Sequence, residues 1–158
     1  MNYTLFDLIQ KLIDIEKDFY NIYVKIEDQS KNKTPAIYAV TKAIEKQVKK
    51  QIEYFEEIKN DSSEKSNEFI DIYIYDKIAK LLFEFRTHIM FPEINTVQDL
   101  IKYAVDFKKN TIGLLLDMQG RLLEKMEDVN NNIYKILSII IKEEEKNEKM
   151  FKNLLMPK

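Results

Sequence analysis

Four long segments of the chain carry the same spacing of apolar side chains, alternately four and three residues apart. Side chains with this spacing form a stripe along one face of an α-helix, and helices pack against one another through such stripes. The stripes occupy residues 5–26, 37–58, 97–122 and 133–154. The spacing therefore predicts an all-α chain with four long amphipathic helices.

Capping signals predict where these helices begin. Thr4 can cap the first helix, and Thr34 followed by Pro35 opens the second. Thr96 with Asp99 three residues later opens the third helix. The aromatic segment 69–91 predicts a connecting arm of one or two short helices, and polar turns are expected at 60–67 and 128–132. The predicted long helices are 4–29, 34–59, 96–126 and 133–155.

Composition removes several classes of site. The chain has no cysteine, which excludes disulfides, thiolate metal sites and a cysteine nucleophile, and its one histidine is His88. A formal net charge of −2 provides no basic surface for nucleic acid. Neither a signal peptide nor a membrane span is visible. We therefore expect a cytoplasmic protein that binds neither nucleic acid nor membrane, with residues 1–158 forming a single domain.

Polar residues interrupt each stripe near the middle of its helix: Glu16, Gln51, Lys108, and the pair Glu144 and Asn147. In an up-and-down bundle, mid-helix positions meet at one level. A charge in a buried seam costs several kcal/mol unless it is paired. One interpretation is a single shared polar cluster. The other is a stripe rotated by one position, which would leave these groups on a solvated edge.

This pattern resembles the rubrerythrin branch of the ferritin-like, diiron-carboxylate superfamily. The matching stretches are Leu12–Tyr23, Gln47–Phe55, Phe91–Glu93, Ala104–Ile112 and Ile141–Phe151. The resemblance covers nearly the whole chain. It implies a ferritin-like four-helix bundle with a helical crossover arm between the second and third long helices.

The resemblance also implies six metal-ligand positions, which fall on Glu16, Val48, Gln51, Lys108, Glu144 and Asn147. Glu16 and Glu144 keep the family's glutamates, so they are the residual candidate metal ligands. The other four positions have lost the family's carboxylate or imidazole, and the metal site is degenerate. A protonated lysine has no lone pair to donate, and its charge opposes a metal cation. We therefore expect Lys108 to form an internal ion pair with Glu16, Glu144 or both.

The predicted function is that of a non-catalytic scaffold or interaction protein, with no catalytic residue and no cofactor. The alternative is a non-haem iron oxidoreductase, active in peroxide reduction or iron oxidation, or an iron-binding protein. That alternative uses Glu16 and Glu144 together with other ligands. The spare carboxylates close in sequence to the lost positions are Glu45, Glu53, Glu143, Glu145 and Glu148. A third interpretation is a small-molecule binder that uses the interior vacated at Val48 and Asn147.

The aromatic arm leaves two interpretations open. It is longer than a simple turn needs, so it can cover the bundle or pack against a second copy of the chain as a homodimer. The sequence identifies neither a protein partner nor a small-molecule ligand.

Overall fold

A computed structural model describes residues 4–61, 70–123 and 132–154. Each of its five elements is an α-helix, which confirms the all-α class. The helices are α1 (Leu5–Ser30), α2 (Pro35–Asp61), α3 (Ile72–Thr87), α4 (Val97–Leu123) and α5 (Asn132–Leu154).

The four long helices are those that the apolar stripes predict, namely α1, α2, α4 and α5. The remaining helix, α3, forms most of the expected arm as one element of 16 residues. Residues 62–67 and 128–131, which belong to the two predicted polar turns, lie outside the described residues, as do the predicted extensions of the third and fourth long helices. The ferritin-like arrangement of the long helices stays a prediction.

Side-chain caps fix the starts of α1 and α4. Thr4 Oγ1 accepts a hydrogen bond from the backbone N–H of Asp7 at 3.4 Å. At α4 the exchange is reciprocal: Thr96 Oγ1 accepts from the N–H of Asp99 at 3.0 Å, and Asp99 Oδ2 accepts from the N–H of Thr96 at 3.1 Å. This reciprocal capping box confirms the start predicted for the third long helix.

A four-residue turn, 31–34, joins α1 to α2, and these two helices pack against each other. Asn32 in this turn has a φ of 65°, in the left-handed region that asparagine tolerates better than most residues. The backbone N–H groups of Lys33 and Thr34 both donate to the carbonyl of Ser30 at 3.0 Å. A connection this short makes consecutive helices antiparallel neighbours.

The chain divides into two compact units. One contains α1, α2 and the segment 90–100; the other contains α3, α5 and α4 from Ile101 onward. In the second unit, Gln119 on α4 donates to the carbonyl of Tyr134 at 3.1 Å and to the hydroxyl of Ser138 at 2.7 Å. These bonds fix α4 beside the first turns of α5.

The predicted stripes are the buried faces of the long helices. Every stripe position is buried except three near helix ends: Ile58 and Val97 are half-buried, and Leu154 is exposed. Within the stripes, the hydroxyl group of a buried threonine can donate to a backbone carbonyl one turn earlier in the same helix. Thr41, for example, donates to the carbonyl of Ile37 at 2.6 Å. The polar residues that interrupt the stripes therefore lie among apolar neighbours, away from water.

Candidate functional site

Lys108, which interrupts the apolar stripe of α4, forms a buried ion pair with Glu144 of α5. Lys108 Nζ lies 3.0 Å from Glu144 Oε2, and the two side chains are 1% and 0% exposed. The ammonium group also lies 4.9 Å from the centre of the Phe107 ring. An ion pair involving Lys108 was predicted, and the contact with Glu144 confirms it.

The energetics of this pair follow from its burial. Two unit charges 3.0 Å apart attract by about 5–6 kcal/mol at an effective dielectric constant of about 20. Removing each ion from water costs several kcal/mol, so the two effects are of similar size. The pair therefore adds little net stability while both partners remain. It makes each partner depend on the other, because either charge alone would be buried without compensation.

Asn147 lies one turn beyond Glu144 on the same face of α5 and is 1% exposed. In the other unit, Glu16, Val48 and Gln51 are 1%, 1% and 2% exposed. Burial at every interrupted position shows that the alternative of a solvated edge is wrong. That these positions form one shared cluster stays a prediction.

The residues at these positions do not fit a diiron centre. Val48 has no donor atom, the amides of Gln51 and Asn147 are weak iron ligands, and Lys108 is a cation held by Glu144. A diiron-carboxylate centre uses four carboxylates to balance two divalent irons, whereas these positions offer only two glutamates. Among residues 4–61, 70–123 and 132–154, no group of three or more His, Asp or Glu side chains could hold a metal ion.

The spare carboxylates do not supply such a group. Glu53 and Glu145 are exposed, while Glu143 and Glu148 are half-buried. Glu148 lies 3.7 Å from Lys152 Nζ, one turn further along α5. These side chains are charged residues of the outer surface of their helices.

Glu45 differs from the other spare carboxylates because it is buried, with 8% of its surface exposed. Lys42 Nζ, one turn before Glu45, lies 3.1 Å from Glu27 Oε1. Burial, reinforced by the influence of Glu27, raises the pKa of Glu45 to about 7. The influence of Glu45 and of Lys42 lowers the pKa of Glu27.

The predicted stripe of α2 includes Thr41, Ile44 and Val48 but leaves Glu45 out. Glu45 nevertheless follows Thr41 by four residues and precedes Val48 by three. A helix that packs in a globular protein buries a stripe wider than the narrow seam of a coiled coil. A wider stripe of this kind includes Glu45, which explains why its side chain is buried.

A pocket of about 300 Å³ opens where α1 ends and α2 begins. Three isoleucines and five polar residues line it: Ile26, Ile37, Ile94, Gln29, Ser30, Lys33, Thr34 and Asn95. Neither Val48 nor Asn147 is among them. This pocket is therefore separate from the vacated interior that the third functional interpretation uses.

No family model, curated protein or solved structure matches the chain. Among the described helices, none has the length and apolar composition required to cross a membrane.

Proposed function

We propose that the chain is a rubrerythrin-like bundle protein that has lost its diiron site and acts as a non-catalytic scaffold or interaction protein. The observation that supports this most strongly is the buried contact between Lys108 Nζ and Glu144 Oε2 at 3.0 Å. It places a protein cation against one of the two residual ligand glutamates. The ammonium group of Lys108 already pairs with this carboxylate. It has no lone pair with which to bind a metal ion.

The donor set supports the same proposal. A diiron site needs carboxylates to balance the metal charge and imidazoles to complete coordination. The six aligned positions offer two carboxylates, and one of these is already paired. Each position is nonetheless buried, so the substitutions replace ligands without exposing the interior to water. The interior is therefore compatible with a stable scaffold.

The outer face of α3 supports an interaction role. Ile72 and Phe83 are 54% and 69% exposed, and their separation of eleven residues places them on one helix face. Tyr73 is also 55% exposed. Exposed apolar side chains that share one helix face are a feature of protein–protein interfaces. We propose a second copy of the chain as the partner, in keeping with the predicted homodimer.

Iron binding tests the proposal directly. Wild-type protein purified after growth with added iron, and then titrated anaerobically with ferrous iron, should bind no stoichiometric metal. Binding of about two irons per chain would refute the loss of the site. Metal content is measured by elemental analysis and the stoichiometry by absorption during the titration.

Restoring the ligands tests the assignment of positions. The variant Val48→Glu, Gln51→His, Lys108→Glu, Asn147→His rebuilds the implied set, and we expect it to gain iron binding. A matched control keeps Lys108 and changes its exposed neighbour instead, Lys109→Glu, with the other three substitutions. A rebuilt variant that keeps wild-type helicity by circular dichroism but binds no iron would contradict the resemblance. It would not affect the wild-type result.

A further inference from the structure

The outer face of α3 carries two opposite charges between two apolar ends. The apolar ends are Ile72 and Phe83, which are 54% and 69% exposed. Asp76 and Lys80 lie between them at exposed positions, four and eight residues after Ile72. Side chains four residues apart lie on the same side of a helix, so the charges belong to the same face as the apolar ends. A partner that covers this face must therefore match its charges as well as its apolar groups.

The two charged side chains are available to a partner. Among the residues that the structure describes, neither Asp76 nor Lys80 has an ion-pair partner. Beside them, Lys77 Nζ lies 4.5 Å from the centre of the Tyr73 ring, which is an attractive contact. Tyr73 is 55% exposed, so the contact orders an aromatic ring at the surface. The face therefore presents an ordered aromatic ring next to two charges that the fold does not use.

These features are symmetric about the level of Ile78, which lies on the buried side of α3. Tyr73 and Phe83 lie five residues on either side of it. Asp76 and Lys80 lie two residues on either side. A two-fold axis at this level brings a second α3 alongside in antiparallel orientation and places Asp76 of each copy opposite Lys80 of the other. Phe83 of each copy then lies opposite Tyr73 of the other, so one arrangement matches both the charges and the aromatic rings.

We propose that α3 pairs with α3 of a second copy in antiparallel orientation, with the Asp76–Lys80 contact formed twice across a two-fold axis near Ile78. This inference rests on the proposed interaction role, and it assigns the orientation and register of that contact. Parallel pairing through the same face would place Asp76 against Asp76 and Lys80 against Lys80. Opposed like charges disfavour that orientation.

The charges determine orientation more than affinity. Ile72 and Phe83 are about 16 Å apart along the helix axis, so two such helices overlap over a short length. The contact is smaller than a standard protein interface, and we expect a weak dimer that dissociates on dilution. Exposed ion pairs add little to affinity. Reversal of one charge nevertheless converts attraction into repulsion at two symmetric places, so a single substitution acts twice.

Charge reversal tests the pairing, with Asp76→Lys and Lys80→Asp as the variants and self-association measured by sedimentation velocity. Each variant alone should associate more weakly than wild type, on the order of tenfold, because like charges then oppose each other twice. An equimolar mixture of the two variants should regain association near the wild-type strength, since each copy then meets its opposite charges. The variant that carries both changes should regain it as well.

Asp106→Lys is the matched control, because it makes the same change in net charge as Asp76→Lys at an exposed position on α4. It should keep the wild-type self-association. Circular dichroism should show wild-type helicity for every variant, which separates loss of pairing from loss of folding.

Two results would overturn the antiparallel pairing while leaving the homodimer in place. One is a wild-type dimer that neither charge reversal weakens, and the other is a mixture that associates no better than its components. Wild-type protein that stays monomeric at high concentration would contradict the homodimer itself, and the pairing with it.

Discussion

The buried pair of Lys108 and Glu144 gives the sharpest test of how the interior is held. A double-mutant cycle compares the wild-type protein with Lys108→Met, Glu144→Met and the variant that carries both changes. Methionine resembles both side chains in length and packs easily in an irregular apolar space. Each single change removes one charge and leaves the other buried.

The magnitude follows from the burial of both partners. At 1% and 0% exposure, neither remaining charge can regain its hydration without movement of the helices. Each single variant should therefore lose about 3–5 kcal/mol of unfolding free energy. The double variant removes both desolvation costs together with the attraction between the charges. It should lie within about 1–2 kcal/mol of wild type, on either side.

The assay is urea unfolding followed by circular dichroism, with the free energy extrapolated to water for all four proteins. Lys109→Met is the matched control, because it removes the same charge one residue later at an exposed position, and it should change stability by at most about 0.5 kcal/mol. A double variant as destabilised as the sum of the two single variants would show that the two charges contribute independently, and it would contradict the mutual dependence of Lys108 and Glu144.

Two further predictions concern the start of α4 and the outer face of α3. Thr96→Ala should lower the unfolding free energy by about 1 kcal/mol, because it removes the acceptor for the Asp99 N–H; a loss below about 0.3 kcal/mol in urea unfolding would show that the cap contributes little. Phe83→Ser should weaken self-association in sedimentation velocity across a range of protein concentrations, with exposed Lys109→Ser as control. Wild-type protein that stays monomeric at high concentration would contradict the proposed homodimer.

Much of the helical layout could be predicted because it depends on local chemistry. Thr4, Pro35 and Thr96 act through backbone groups within one turn, so their effects are readable from adjacent residues. The apolar stripes likewise depend on helix periodicity alone. The buried position of Lys108 and its ion pair with a glutamate followed from the same periodicity combined with the cost of an isolated charge.

The burial of Glu45 could not be predicted in this way. It depends on how α2 is rotated about its own axis against α1, which determines whether Glu45 lies inside or outside the contact. Apolar spacing leaves that rotation uncertain by about one position, since a buried stripe is wider than two positions per heptad. Residue type gives no help, because a glutamate on an amphipathic helix ordinarily lies on the solvent-exposed face.

The dependence of Lys108 and Glu144 on each other also constrains how this protein can change over generations. A substitution at either position alone passes through a chain that folds poorly, while a simultaneous change at both positions costs little. Descendants should therefore either inherit both charges or lack both. The transition between these two conditions is slow, because it requires a second mutation to rescue the first.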